Sequence, residues 1–278
     1  MVFDAPAVLP ALLTPFDERG GIDARALADH VEFLIESGVD GIMPCGTTGE
    51  TALLEADETL AVVRTVVEAA AGRVPVVAHV GRPSTTATAR LIEAAIDAGA
   101  AGVSAIVPYY YKLGDREIVA HFRALLKAAG DTPLLAYTFP ARTGNDLSAE
   151  AFTTLVGDGL AGLKDSTSVV EVHEGYLAAA PEAQIFVGSP SFLLGSLRSG
   201  SRGGVAALAN LRPELVLALA HAWRDGDDGA ERLQEEVRAA ENALAQEPPL
   251  VALKRGVSEL MAARGSRYPA ALRSPLGA

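Results

Sequence analysis

Cysteine is nearly absent from this 278-residue chain. The single Cys45 excludes an intrachain disulfide and argues against a cysteine-rich metal site. Positive charge is also short: 23 Lys and Arg stand against 35 Asp and Glu, a net −12, and no basic cluster interrupts the deficit. Phosphate backbones are bound by concentrated positive charge, so nucleic acid is not an expected partner. A small anionic substrate is not excluded, because it feels only the few cations lining its pocket. No apolar run approaches the roughly 18–20 residues that span a bilayer, and no membrane association is expected. The opening Met1-Val2-Phe3-Asp4-Ala5-Pro6 has neither the basic region nor the apolar core of a secretory signal, so a soluble cytoplasmic protein is expected. Linker-like, low-complexity stretches are lacking as well.

What the chain does have is a rhythm. Runs rich in Val, Ile and Leu alternate with Ala-rich segments of helical periodicity, in units of roughly 25–35 residues, the size of a βα repeat. Eight strands are predicted, near residues 8–14, 40–45, 75–80, 102–108, 133–138, 160–164, 184–188 and 203–208. Most are continuous apolar runs, as in parallel strands buried on both faces. Leu27, Val31, Leu34 and Ile35, then Phe122, Leu125 and Leu126, mark helical faces, and Gly38, Gly72, Gly99 and Gly130 are predicted helix stops. Eight such pairs predict an α/β fold, a (β/α)₈ TIM barrel, with its chemistry at the C-terminal ends of the strands. Residues 1–212 would form the barrel core. Residues 213–278 would supply the closing helix and further helices, broken at Asp225–Gly229 and again at Gln246–Pro249, as part of one structural unit.

The candidate site residues all fall at predicted strand ends. Lys164 closes the apolar run Leu160-Ala161-Gly162-Leu163. Burial disfavours its charged form and lowers its pKa, which is what an amine needs to attack a carbonyl, whereas an ordinary strand-end lysine would be solvated. Tyr137 can be packing or a proton carrier. Thr47 and Thr48, inside Gly46-Thr47-Thr48-Gly49-Glu50, read as a helix-capping turn or as an anion site, and the two are compatible. Tyr109, Tyr110 and Tyr111 are half of the chain's six tyrosines. Neighbouring side chains on an extended segment point to opposite sides, so the three are not a uniform core, and an aromatic subunit contact is one reading of them. Arg142, by itself, reads as a solvated loop residue. Cys45 reads as a small buried residue, and His79 as a hydrogen-bonded wall residue whose near-neutral pKa leaves proton transfer open.

Together, Gly46–Glu50, Tyr137-Thr138-Phe139-Pro140-Ala141-Arg142-Thr143-Gly144 and Leu160–Ser166 resemble the family of pyruvate-dependent class I aldolases that includes dihydrodipicolinate synthase and N-acetylneuraminate lyase. The likeness extends from Ala11-Leu12-Leu13-Thr14-Pro15-Phe16 to Ala209-Asn210. It implies that Lys164 forms a Schiff base with pyruvate or another 2-oxo acid, and that Tyr137 shuttles protons with Thr47. It also implies that Thr48 and the loop backbone hold the pyruvate carboxylate, and that Gly188 and Val205 border bound pyruvate. By the same resemblance Tyr110 enters the site of a neighbouring subunit in a dimer-of-dimers homotetramer, and the C-terminal helices pack on the barrel. No cofactor or metal is implied. The partners would be the 2-oxo acid and an aldehyde.

The residues that bear on substrate class point two ways. Arg142 matches the arginine by which dihydrodipicolinate synthases hold aspartate semialdehyde, yet it would equally suit another distal carboxylate. The segments Ala78-His79-Val80-Gly81, Val187–Leu194 and Gly203–Asn210 look more like sugar-acid and 4-hydroxy-2-oxoglutarate aldolases. Thr59, Pro83 and Ala87 replace the residues of a lysine-feedback site. The leading expectation is an aldolase acting at C3 of a 2-oxo acid. A dihydrodipicolinate synthase is the alternative, and a non-catalytic 2-oxo acid sensor a third.

Overall fold

Apolar runs that are buried on both faces become the strands of one parallel sheet, and the amphipathic segments between them cover it. The computed structural model describes residue 3 and residues 6–277. The strands are β1 Ala7–Pro10, β2 Val77–His79, β3 Gly102–Ile106, β4 Leu134–Thr138, β5 Gly162–Asp165, β6 Gln184–Val187 and β7 Gly203–Ala206. The helices are α1 Ala24–Glu36, α2 Ala56–Ala70, α3 Thr85–Asp97, α4 Asp115–Ala129, α5 Pro140–Thr143, α6 Ala149–Gly157, α7 Val170–Ala179, α8 Leu193–Arg198, α9 Pro213–Arg224, α10 Ala230–Leu244 and α11 Pro249–Ala263. No helix among the described residues is long and apolar enough to cross a membrane.

The sheet order is β1-β7-β6-β5-β4-β3-β2, parallel throughout. Here the eight-strand expectation needs correction. Seven strands form ladders, and the predicted second strand makes only the parallel bridges Ala11↔Met43 and Ile42↔Val76. Pro10, Pro44 and Pro75 lie in or beside these pairings, and proline has no N–H to donate to a ladder. Their carbonyls still accept, from Met43, His79 and Ile42 respectively. The segment thus joins the β1 edge to the β2 edge, and the sheet curls in the manner of a TIM-barrel α/β fold.

Two apolar layers result. Inside the curl, Leu9, Met43, Val77, Leu135, Phe186 and Val205 pack together. Outside it, a larger cluster lies between the strands and the helices. Asp23, Ser84 and Ser148 cap α1, α3 and α6 by accepting from backbone N–H groups of the first turn. The predicted helix stops Gly38, Gly72, Gly99 and Gly130 all adopt positive φ. The helix breaks expected at 225–229 and 246–249 separate α9, α10 and α11.

Candidate active site

Lys164 lies in β5 with 4% of its surface exposed. Burial pulls its amine down from 10.5 to about 7, which leaves much of it uncharged and nucleophilic near neutral pH. Its in-register neighbours are Tyr137 on β4 and Phe186 on β6. Lys164 Nζ sits 4.3 Å from the centre of the Tyr137 ring.

The Tyr137 hydroxyl is 3.0 Å from Thr47 Oγ1. Burial raises the pKa of this phenol above its usual 10.0, and hydrogen bonds to Thr47 and Ser166 only partly oppose it. The group therefore stays protonated at neutral pH and can donate. Thr47 and the neighbouring half-buried Thr48 ride on a loop closed by turns, in which Gly49, Glu50 and Thr51 donate to the carbonyls of Gly46, Thr47 and Gly46. Lys164, Tyr137 and Thr47, some 117 residues apart from first to last, are thus brought together.

His79 ends β2 opposite Ser104 of β3 and is fully buried. Its ring meets the Tyr137 ring edge to face, 5.6 Å between centres. Burial first, then the charges of Arg82 and Lys164, keep it neutral well below its ordinary 6.5. It packs against Tyr137, but the expected hydrogen bonding is absent: neither ring nitrogen has a partner among the described residues.

Gly188 and Val205 have separate places. Val205 lies in the inner apolar cluster, beside Leu9. At Gly188 a Cβ would come within 2.0 Å of Ser166 Oγ, so the missing side chain makes room for a hydroxyl that reaches Tyr137. Arg142 is exposed on α5 with its guanidinium 5.9 Å from the Phe139 ring centre, and its charge is felt at Tyr137. Tyr110 stands apart from the cluster at 86% exposure, with φ of 82° and its ring against that of Tyr111. Cys45 is buried, and its thiol is pushed up to about 12 by desolvation, which leaves it inert as a nucleophile.

Three features escaped the sequence reading. Ser166 was findable, since residues i and i+2 of an extended segment share a face and Lys164 was already singled out. Asp165, on the opposite face, accepts from Thr167 N at 2.8 Å and meets His173 Nδ1 at 2.8 Å, while His173 Nε2 meets Ser196 Oγ at 2.9 Å. This buried chain ties the end of β5 to α7 and α8. Arg82 holds Thr59 Oγ1 at 2.6 Å and Thr51 Oγ1 at 3.1 Å behind the threonine loop, a link across the fold that left no local signal.

Comparison with known proteins is consistent with this geometry. An uncharacterised DapA-like lyase of Halobacterium salinarum is 40% identical over 274 residues, 97% of this chain and 87% of the relative. A probable 2-dehydro-3-deoxy-D-pentonate aldolase, YjhH of Escherichia coli, is 33% identical over 79% of this chain and 75% of its own length. YagE, a prophage protein of the dihydrodipicolinic acid synthase family from Escherichia coli whose crystal structure is in complex with pyruvate, superposes with a TM-score of 0.91 at 27% identity, covering 97% of this chain and 91% of that one. The profile of the dihydrodipicolinate synthetase family matches residues 4–278, and the chain belongs to that family.

Proposed function

We propose that this lyase is a pyruvate-dependent class I aldolase that makes or cleaves a C–C bond at C3 of a 2-oxo acid through a Schiff base on Lys164. The observation that carries the proposal is the buried amine held at about 7 against a protonated Tyr137 that is itself hydrogen-bonded to Thr47. In the cleavage direction the neutral Nζ attacks C2 of the 2-oxo acid, and loss of water gives an iminium. The C3–C4 electron pair then flows to the iminium nitrogen as the C4 hydroxyl loses its proton, which releases an aldehyde and leaves an enamine. Protonation at C3 and hydrolysis release pyruvate and restore the amine.

Tyr137 is the proton carrier for these steps, with Thr47 and Ser166 fixing its hydroxyl. Thr48 and the loop backbone hold the substrate carboxylate. Gly188 and Val205 border bound pyruvate, and His79, kept neutral, walls the site without adding charge beside Lys164. No metal or cofactor takes part. The exposed guanidinium of Arg142 suits an acid-bearing acceptor, as the glyoxylate of a 4-hydroxy-2-oxoglutarate aldolase would be, whereas a 2-keto-3-deoxy acid aldolase would release a neutral aldehyde and leave Arg142 without that task. The pentonate aldolase among the relatives supports aldol cleavage of a 2-oxo acid.

Borohydride reduction in the presence of pyruvate tests the reading directly. A stable mass increment is expected on Lys164 of the wild type and none on Lys164→Ala. Labelling that persists in the alanine variant would remove the mechanism.

A further inference from the structure

The threonine loop is held in an unfavourable shape. Cys45 and Glu50 both adopt left-handed backbone with φ of 61°, a region that residues with a Cβ rarely enter. At Gly49 a Cβ would approach Leu12 O to 2.9 Å and Thr14 Oγ1 to 3.2 Å, so the loop is pressed onto the segment that follows β1. Such a conformation persists where surrounding contacts over-determine it.

Those contacts come from the far end of the chain. Glu50 is 3% exposed, and both its carboxylate oxygens are engaged. Oε1 meets Lys254 Nζ of α11 at 2.5 Å, and Oε2 accepts from Arg273 N at 2.9 Å. Lys254, itself fully buried, donates also to Ala271 O at 2.8 Å. The Arg273 side chain donates to Leu53 O at 2.9 Å and grips both oxygens of Glu58 at 2.6 and 2.7 Å. Lys254 Nζ and the Arg273 guanidinium each lie 4.4 Å from the centre of the Phe16 ring. Further back, Tyr268 packs on His30 with ring centres 5.1 Å apart.

We propose that Glu50 is a positioning residue, and that Lys254 with residues 268–273 forms a C-terminal strap that sets the threonine loop for binding the carboxylate of a 2-oxo acid. The inference rests on the pyruvate reading above. Thr47 is three residues from Glu50 and its backbone carbonyl accepts from Glu50 N at 3.1 Å, so a shift of Glu50 is passed directly to the hydroxyl that meets Tyr137. A loop fixed before the ligand arrives loses little freedom on binding, whereas a loosened one must be ordered by the ligand and binds it more weakly.

Two variants probe the strap at different depths. Glu50→Gln removes the charge at the centre of the cluster. Arg273→Met loosens the strap from its half-buried side and leaves the Glu50–Lys254 pair in place, which keeps the test available if the first variant does not fold. Leu219→Ala, a cavity variant at a buried position of α9 that takes no part in the Glu50 cluster, controls for lost stability. The readout is the pyruvate concentration giving half-maximal borohydride label on Lys164, measured beside the thermal midpoint. The strap variants should need at least about tenfold more pyruvate while still labelling fully at saturation, and Leu219→Ala should show no shift despite a similar loss of stability. Half-saturation within about twofold of wild type in the folded strap variants, or an equal shift in Leu219→Ala, would overturn the strap alone. Absence of label on the wild-type lysine would overturn the pyruvate reading, and the strap with it.

Discussion

At the scale of single residues the dominant fact is the cost of burying Lys164. Its pKa falls from 10.5 to about 7 on folding, so the unfolded chain binds more protons than the folded one between those values. Stability therefore rises with pH across that window, and the penalty is fully present below about 7. Lys164→Met should stabilise the protein by a few kcal/mol at pH 7 and by much less near pH 10, read from chemical denaturation at the two pH values. An unchanged stability would mean that the amine is solvated. In the wild type the rate of trapping by pyruvate should climb through pH 7 as the amine loses its proton. Tyr137→Phe should keep pyruvate trapping but cut turnover by roughly a hundredfold to ten-thousandfold, the scale for losing a general acid or base. Turnover near wild type would reduce Tyr137 to packing. The burial of Lys164 and Tyr137 was legible because both lie in or at the end of apolar strand runs. That the nitrogens of His79 have no partner among the described residues was not, because a hydrogen bond depends on what distant segments bring opposite the ring.

At the scale of elements, strand ends and the loops that follow them decide where the side chains point. The β6 end and the β5 end approach so closely that Gly188 N donates to Asp165 O at 2.6 Å and leaves no space for a Cβ beside Ser166. Gly188→Ala should push Ser166 away from Tyr137 and lower turnover by about tenfold to a hundredfold, the scale of an ångström-level misplacement. Ser166→Ala should lower turnover in the same direction without the steric destabilisation, so wild-type turnover in Ser166→Ala would show that the glycine serves packing alone. Six of the eight predicted strands overlap their ladders closely, since buried parallel strands announce themselves as unbroken apolar runs. The first is shorter than predicted, and the second dissolves into bridges because three prolines interrupt the donor pattern that apolarity alone does not reveal. Helix ends were read more reliably, because a glycine at positive φ is a local signal that needs no partner from elsewhere.

At the scale of the whole molecule, the two helices beyond α9 brace the loops of the site. Gln234 of α10 accepts from Leu194 N at 2.8 Å and donates to Pro190 O at 3.0 Å, and Glu241 accepts from Ser191 N at 2.8 Å. α11 supplies Lys254 to Glu50, 204 residues earlier. Lys254 shares the helical face of Leu250, Val257 and Met261, and a lysine so placed either reaches solvent along its stem or is buried with a counter-charge, as it is here. Its partner could not be named, because nothing local links α11 to that loop. The remaining feature at this scale is the Tyr110–Tyr111 pair, 86% and 72% exposed in a single chain, with Tyr110 in a left-handed conformation that a solvated loop would not need. Exposed aromatic side chains of this kind suit a contact with a second copy, where Tyr110 would complete the neighbouring site. Lys164→Ala and Tyr110→Phe should each be inactive alone. When the two are unfolded together, or their subunits exchanged, hybrid assemblies gain sites in which both wild-type residues are present, and activity should return to a fraction of about a quarter to a half of wild type in proportion to the mixed species. Native mass spectrometry would establish that mixing has occurred. Mixed assemblies without recovered activity would show that each site is built from one chain and that the tyrosine pair serves the contact alone.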